Sequence, residues 1–365
     1  MAKKYMIYGA KSIALGVCLA MREVQPSAKV TGFVVSSLDN NPSELAGLPV
    51  SVLDTVVDRE THILIATPEN VQAEIATYLE EKGFTYYTCI DSAKLASLME
   101  KYYVKTGCYQ TINKCLEEDG NVVPNDTNEK VNVQVYMAKF HKDRELKNPY
   151  HMPKWVVPIQ VGTALTEKRV AKCCDNTGEN ISEKNVNYSE LTALYWMWKN
   201  QCQNTDLVSN LDFIGLFHYR RILDVSKEDM EQLCRKQVDV ILPFPMISEP
   251  DITEHHARYI TEEDWDAMLQ ALLELKPEYA KAYTDIFSGK YMYNYNIMIA
   301  RPSVLVDYCA WLFPILKRTE ELSNPKGWER SDRYIGYLGE NLTTLYFMYH
   351  RNDLKIVHTG CFMLV

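Results

Sequence analysis

Between Lys4 and Glu81 the chain switches repeatedly between strand and helix periodicity, and that alternation limits its fold more than any other feature. Lys4 to Tyr8 is a short apolar strand, Gly9-Ala10-Lys11-Ser12 is a turn, and Ile13, Leu15, Val17, Leu19 and Ala20 follow a helical pattern. A second strand, Lys29 to Val35, precedes Asp39, and a third, His62 to Ala66, runs through Thr67-Pro68 into a helix from Glu69 to Glu81. Strands that alternate with helices imply a parallel sheet and an α/β fold that opens as a Rossmann-like unit. The dinucleotide fingerprint requires glycine at positions 9, 11 and 14, where this chain has Gly9, Lys11 and Ala14. With only the first glycine present, close backbone approach to a pyrophosphate is not assured and NAD is not an expected cofactor; Asp39 reads as a turn residue before Asn40-Asn41-Pro42.

A chain of 365 residues exceeds the usual single domain. Helical patterning from Ser92 through Leu116 breaks in the acidic, Asn- and Pro-containing stretch around Gly120 and Pro124, so the expected division is a Rossmann-like domain over 1–118, a linker over 119–130 and a second domain over 131–365. The net charge of −9 argues against a broad nucleic-acid surface, which needs a basic footprint. The ten cysteines include adjacent Cys173 and Cys174 but no CxxC pair, which fits reduced thiols in a cytoplasmic protein rather than a zinc ribbon or a redox site. No window approaches the apolar length of a membrane span, and peripheral association at the inner face of a membrane remains compatible with the sequence.

The second part holds the polar constellations. In Asp212-Phe213-Ile214-Gly215-Leu216-Phe217-His218-Tyr219-Arg220-Arg221 an apolar strand runs into four hydrogen-bonding side chains, at the sheet edge where α/β proteins bind ligands. Two guanidiniums there suit a phosphate, or brace the fold against acidic neighbours. If the strand continued through the motif, alternation would place Arg220 on the face of His218 and Arg221 on that of Tyr219. Asp175 and Glu179 flank a glycine turn that serves either as a simple turn or as a contact for ligand hydroxyls. Tyr188-Ser189-Glu190 begins a helix, with Glu190 in its first turn. Asn294 and Asn296 share a face before the strand Ile297 to Ala300, among tyrosines suited to sugar rings. The literal Asp-x-Asp, Asp264-Trp265-Asp266, reads as a helix start capped by Thr261.

From Val131 onward the order of motifs, including Val133-Gln134-Val135-Tyr136, Pro158-Ile159-Gln160-Val161-Gly162, Asp175 through Ile181, Asn187 through Trp196, Gly215 through Arg221 and Asp239 through Pro243, resembles domain-of-unknown-function family 4422. The resemblance implies a GT-A-like nucleotide-sugar-binding domain after the Rossmann-like one. It also implies a glycosyltransferase of bacterial capsule, lipopolysaccharide or exopolysaccharide synthesis that uses a nucleotide-sugar donor, UDP-galactofuranose among the candidates, and a glycan or lipid-linked acceptor. On that reading His218, Arg220 and Arg221 meet the leaving diphosphate, and Tyr219, Asp175, Glu179, Glu190, Asn294 and Asn296 contact substrate. Ser331 through Leu342 resembles the late acidic motif of inverting GT-A enzymes, in which a carboxylate at a helix start faces the acceptor, and this makes Glu340 the expected base and Asp332 its reserve. The equivalent of the metal-binding Asp-x-Asp reads His218-Tyr219-Arg220, so dependence on a divalent ion such as manganese or magnesium stays open. Two other classes remain: a non-catalytic nucleotide- or carbohydrate-binding subunit of a polysaccharide assembly complex, and an NAD-dependent oxidoreductase acting through the first domain, against which the broken fingerprint weighs.

Overall fold

The computed structural model describes residues 3–118, 131–146, 151–202 and 210–365, and shows an α/β chain with two mixed sheets flanked by helices. The expected linker, 119–130, lies outside the described residues. In the first sheet, β1 (Lys4–Tyr8) lies between β2 (Lys29–Val35) and β5 (His62–Ile65), parallel to both. β4 (Leu48–Val52) extends one edge in parallel, with β3 (Glu44–Leu45) turned back antiparallel on it, and β6 (Tyr87–Cys89) extends the other. The apolar helical pattern becomes the helix Ser12–Val24, whose Ala14, Leu15, Val17, Cys18 and Met21 are buried.

Gly9 links this sheet to its loops. Its φ of +115° is one that L side chains rarely adopt, and a Cβ there would stand 2.8 Å from the Ala66 carbonyl oxygen. The turn after β1 therefore packs directly on the end of β5, and the two loops form one edge.

The second sheet has the order β16-β12-β15-β10-β7-β8-β9. Its centre is β10 (Phe213–His218), parallel to β7 (Val133–Lys139) on one side and antiparallel to β15 (Met298–Ala300) on the other. β8 (Val156–Gln160) and β9 (Cys173–Cys174) continue in parallel beyond β7; beyond β15 come β12 (Val240–Pro243), antiparallel to it, and β16 (Ile356–Thr359), parallel to β12. β11 (Arg221–Leu223) folds back on the end of β10 and pairs with β17 (Cys361–Met363). The helix Pro302–Leu322 buries Tyr308, Trp311, Leu312 and Ile315, and in the helix Tyr334–Tyr349 every residue from Tyr334 to Phe347 except Tyr337 is buried.

The first sheet's core is closed by residues from the second part. Ile247, on β13 (Met246–Ile247), is buried within the same apolar cluster as Leu15, Met99 and Tyr103. Tyr103 donates its hydroxyl to the Pro245 carbonyl at 2.7 Å, and Glu249 accepts from the Ala46 backbone N–H at 2.6 Å. The edge formed by Gly9 and Ala66 is thereby held against the ends of β10 and β11.

Local structure departs from the sequence pattern in four places. The helical stretch from Ser92 to Leu116 divides into Ser92–Thr106 and Ile112–Glu117, because Gly107 takes the left-handed conformation (φ 67°) and Thr111 caps the second helix through the Lys114 N–H. The helix expected from Tyr188 is interrupted at Ser189 (φ 51°), which lies between the helices Asn185–Tyr188 and Leu191–Trp196. The strand does not run through His218 to Arg221. It turns at Tyr219 and Arg220, so His218 and Arg221 pair directly across a tight hairpin and project to the same face of the sheet. Glu340 is not at a helix start, being the seventh residue of its helix.

Gly9→Ala is expected to lower stability by about 1–3 kcal/mol through the forced φ and the contact with Ala66. Urea unfolding measures this, and an unchanged midpoint would contradict the tight packing of the two loops.

Candidate functional site

The edge of the first sheet and the end of β10 enclose one cleft of about 910 Å³. Gly9 through Ile13 and Ala66 through Pro68 form one wall, while His218, Tyr219, Arg220, Arg221, Glu190, Asn294 and Glu340 come from the second part. The hairpin places Arg221 beside Tyr295, its guanidinium 4.0 Å from the ring centre. Arg220 Nε, buried at the cleft, has no hydrogen-bond partner among the described residues.

Two carboxyl groups lie at the buried end. His218 Nε2 stands 3.5 Å from Glu190 Oε1, and the Asn296 amide donates to the same oxygen at 2.7 Å. Burial alone would raise the Glu190 carboxyl, yet His218 and the Asn296 amide hold it down at about 2. Glu340 responds in the opposite sense. Burial and then the negative charge of Glu190 push it up to about 8, against the Tyr295 backbone N–H and the cations Arg221 and Arg333. Around neutral pH the site therefore holds one fixed carboxylate and one carboxyl close to its titration point, the separation that divides acid–base roles within a pair.

The segment Tyr293–Asn296 and the helix Tyr334–Tyr349 make this arrangement rigid. Tyr295 and Asn296 both have positive φ, 78° and 49°, which directs the Tyr295 N–H at Glu340 and the Asn296 side chain at Glu190. The second amide proton of Asn296 goes to the Gly336 carbonyl at 3.1 Å, and the Tyr293 N–H donates to Thr344 Oγ1 at 2.9 Å. Backbone conformations of this cost persist only where the surroundings enforce them. Here buried hydrogen bonds do so.

Other residues singled out in the sequence lie elsewhere. Asp175 is buried beneath the loop after β8, where it accepts from the Gly162 and Thr163 N–H groups at 2.8 and 3.0 Å and from the Ser182 and Thr192 hydroxyls. With its acceptor sites filled by the protein and no place on the cleft wall, it organises that loop. Glu179 is exposed and binds Tyr195 and Lys199 at 2.7 and 3.2 Å. Asp332 pairs with Arg330, outside the cleft lining. Asp264 is buried against the same guanidinium, with bonds of 2.7 and 2.9 Å, and Asp266 is exposed, so this Asp-x-Asp is committed to the structure. Among the described residues no three His, Cys, Asp or Glu side chains converge as a metal cage.

The cleft also contains residues that the sequence reading did not rank. Arg333 stands at the start of the Glu340 helix with φ 67° and bonds Ser189 Oγ at 2.9 Å; Tyr337 stacks on Tyr259 with ring centres 4.8 Å apart. Arg333 and Tyr337 lie inside the Ser331–Leu342 motif and could have been found there. Asp143, Tyr259 and Arg258 carry no local signal, since only the tertiary fold brings them to the cleft.

A two-sheet α/β architecture with a charged cleft at the strand ends thus frames the comparison with known proteins. The family described as "Domain of unknown function (DUF4422)" matches residues 134–352, more than half of the chain, and the chain belongs to that family. A solved structure of the WbbM bifunctional glycosyltransferase in its apo form is similar over 64% of this chain, with 26% sequence identity and a TM-score of 0.52. This chain covers 45% of that one, so it spans less than half of the solved relative's length. No curated protein matches the chain.

The Glu340 environment has a sign that unfolding experiments can read. Because the folded-state carboxyl is raised, the folded protein keeps a proton that the unfolded chain releases, and stability is lost as pH rises from the ordinary glutamate range toward about 8. Glu340→Gln should remove that loss, so that the variant gains on the wild type by roughly 1–3 kcal/mol between pH 5 and pH 8. Parallel stability curves for the two proteins across that window would contradict a buried, raised carboxyl. Asp175→Ala should cost roughly 2–4 kcal/mol at any pH in this range, because four buried donors lose their acceptor. Thermal unfolding checks it.

Proposed function

We propose that the chain transfers a sugar from a nucleoside-diphosphate donor to a carbohydrate or lipid-linked acceptor. In this reading residues 131–365 form a GT-A-like catalytic domain and residues 1–118 a Rossmann-like module. The observation that carries it is the pair of carboxyls with opposed titration at the buried end of a cation-lined cleft. Membership of the DUF4422 family and the likeness to a glycosyltransferase structure support the same reading at the level of sugar transfer.

Glu340 is the proton acceptor. As the acceptor hydroxyl oxygen bonds to the anomeric carbon, its proton passes to the Glu340 carboxylate, and the bond from that carbon to the diphosphate oxygen breaks with its electron pair on the diphosphate. A carboxyl at about 8 is basic enough to take that proton, whereas Glu190 at about 2 is too acidic and serves to hold His218. Attack opposite the leaving group makes the reaction inverting. His218, Arg220 and Arg221 face the charge that develops on the diphosphate, and Asn294 and Tyr219 line the same space for substrate. A divalent ion would have no cage of three side chains among the described residues, so no step is assigned to one. The acceptor belongs to bacterial surface polysaccharide synthesis, with UDP-galactofuranose among the first donors to test. The protein acts in the cytoplasm, at or near the membrane's inner face; no described helix is long and apolar enough to cross a membrane.

Ligand-observed NMR with uridine, guanosine, cytidine and thymidine diphosphate sugars, with and without manganese, tests the reading before the acceptor is known. Selective contact with one donor is the expected result, and silence across all four in folded protein would overturn it. Once a donor is found, Glu340→Gln should lower kcat by roughly 100-fold or more while leaving donor affinity within about threefold. The wild-type rate should rise with pH on a limb near 8. Transfer that survives both Glu340→Gln and His218→Ala in folded protein would place the chemistry elsewhere.

A further inference from the structure

Although the chain carries a net charge of −9, five cationic side chains line this one cleft: Lys11, Arg220, Arg221, Arg258 and Arg333, against three acids. They come from separate parts of the fold. Arg220 and Arg221 belong to the hairpin after β10, Arg258 follows the short helix Thr253–His256, and Lys11 stands in the turn after β1 of the first sheet. Lys11 and Arg258 are close enough that Arg258 disfavours the charged form of Lys11, after burial as the larger cause, while Glu254, the partly exposed partner of Arg258, opposes both. Like charges gathered across a concave surface are unfavourable unless something negative lies between them.

Neither cation is held by a strong partner. Lys11 donates to the backbone carbonyl of Asn40, which is neutral, and Arg258 pairs with Glu254 on its own helical turn, where both side chains are partly exposed. An exposed pair of that kind contributes little, so a multiply charged ligand can displace it. The nearby acid Glu249 is already engaged by the Ala46 N–H and by Lys290. Lys11 occupies the position at which a dinucleotide fingerprint would carry its second glycine. The helix behind it, Ser12–Val24, has no side-chain cap.

We propose that Lys11 and Arg258 form a second anion-binding wall, so that the first sheet takes part in the active cleft by gripping a diphosphate group opposite Arg220 and Arg221. This rests on the sugar-transfer reading for its purpose and gives the N-terminal module a function within it. The diphosphate can belong to the nucleotide donor or to a prenyl-diphosphate acceptor; the shared chemistry is a di- or trianion that bridges the two walls. The strand-end loops of both sheets then close on one ligand, and their packing through Tyr103, Ile247 and Glu249 sets the width of the cleft.

The test is calorimetric titration of the full chain and of the variants Lys11→Ala, Arg258→Ala and Arg220→Ala. The probes are inorganic pyrophosphate, the four nucleoside diphosphates, farnesyl diphosphate and uridine as an uncharged control. Lys11→Ala and Arg258→Ala should each weaken diphosphate binding by roughly tenfold, leave any uridine binding unchanged, and keep the wild-type melting temperature. Lys11→Arg should restore most of the loss. Loss confined to nucleoside diphosphates assigns the wall to the donor, and loss confined to farnesyl diphosphate assigns it to the acceptor; both support the proposal. If Lys11→Ala and Arg258→Ala bind every diphosphate like the wild type while Arg220→Ala does not, the second wall is wrong and the sugar-transfer reading stands. If the wild type binds no diphosphate at all, both fall together.

Discussion

The Asn296 side-chain amide is the contact on which the rest of the site depends. One of its protons goes to Glu190 and the other to the Gly336 carbonyl, so a single planar group ties the acidic residue before one helix to the first turn of another. Its oxygen faces the Thr343 hydroxyl at 3.2 Å, one turn beyond Glu340. The amide can serve both helices only because Tyr295 and Asn296 adopt positive φ, and those conformations persist because the buried helix Tyr334–Tyr349 leaves no alternative. The consequence is electrostatic. A carboxylate deprived of water is kept ionised by fixed donors, and burial, with that charge beside it, keeps the neighbouring carboxyl protonated to an unusually high pH.

That arrangement explains how a single site can hold a fixed negative charge and a movable proton. Glu190 accepts fixed donors and has little affinity for a proton; Glu340 has the Tyr295 backbone N–H and the charges of Arg221 and Arg333 to stabilise its own, which do not offset burial and Glu190. The two acids lie at the buried end of the cleft, where Arg221 and Arg333 act on Glu340, and Lys11 and Arg258 line the cleft from other parts of the chain. A ligand with an anionic end and a hydroxylated end would be oriented by this polarity before any specific contact formed.

The family relationship covers the second part of the chain, while the cleft is completed by the first sheet. The first sheet's core takes in Ile247 from the second part, and Tyr103 and Ala46 hydrogen-bond to Pro245 and Glu249, which holds the Gly9 and Ala66 loops against the strand ends they face. A shared buried boundary makes the cleft a property of the whole chain, and accounts of its specificity have to include both halves.

The sequence alone carried the alternation of strands and helices in the first eighty residues, where β1, β2 and the helix Glu69–Glu81 coincide with the periodic segments, because amphipathic periodicity is a local property. It also carried the chemical character of His218, Arg220 and Arg221, since charged residues at the end of an apolar strand need a reason to be there; Glu340 was singled out by a motif that put it at a helix start, whereas it lies inside the helix Tyr334–Tyr349. Three things had to wait for the tertiary structure. The hairpin that puts His218 and Arg221 on one face depends on a turn and on a partner strand from the chain's end, and neither is visible in alternation. The separation of Asp175, a loop organiser, from Glu190, a cleft residue, depends on which donors surround each carboxylate, although both read as acids near turns. The gathering of Lys11 and Arg258 around one cleft joins residues about 250 positions apart. Pattern reports what each segment prefers; which side chains share a water-poor space, and hence which protons are held and which are free, is decided by packing.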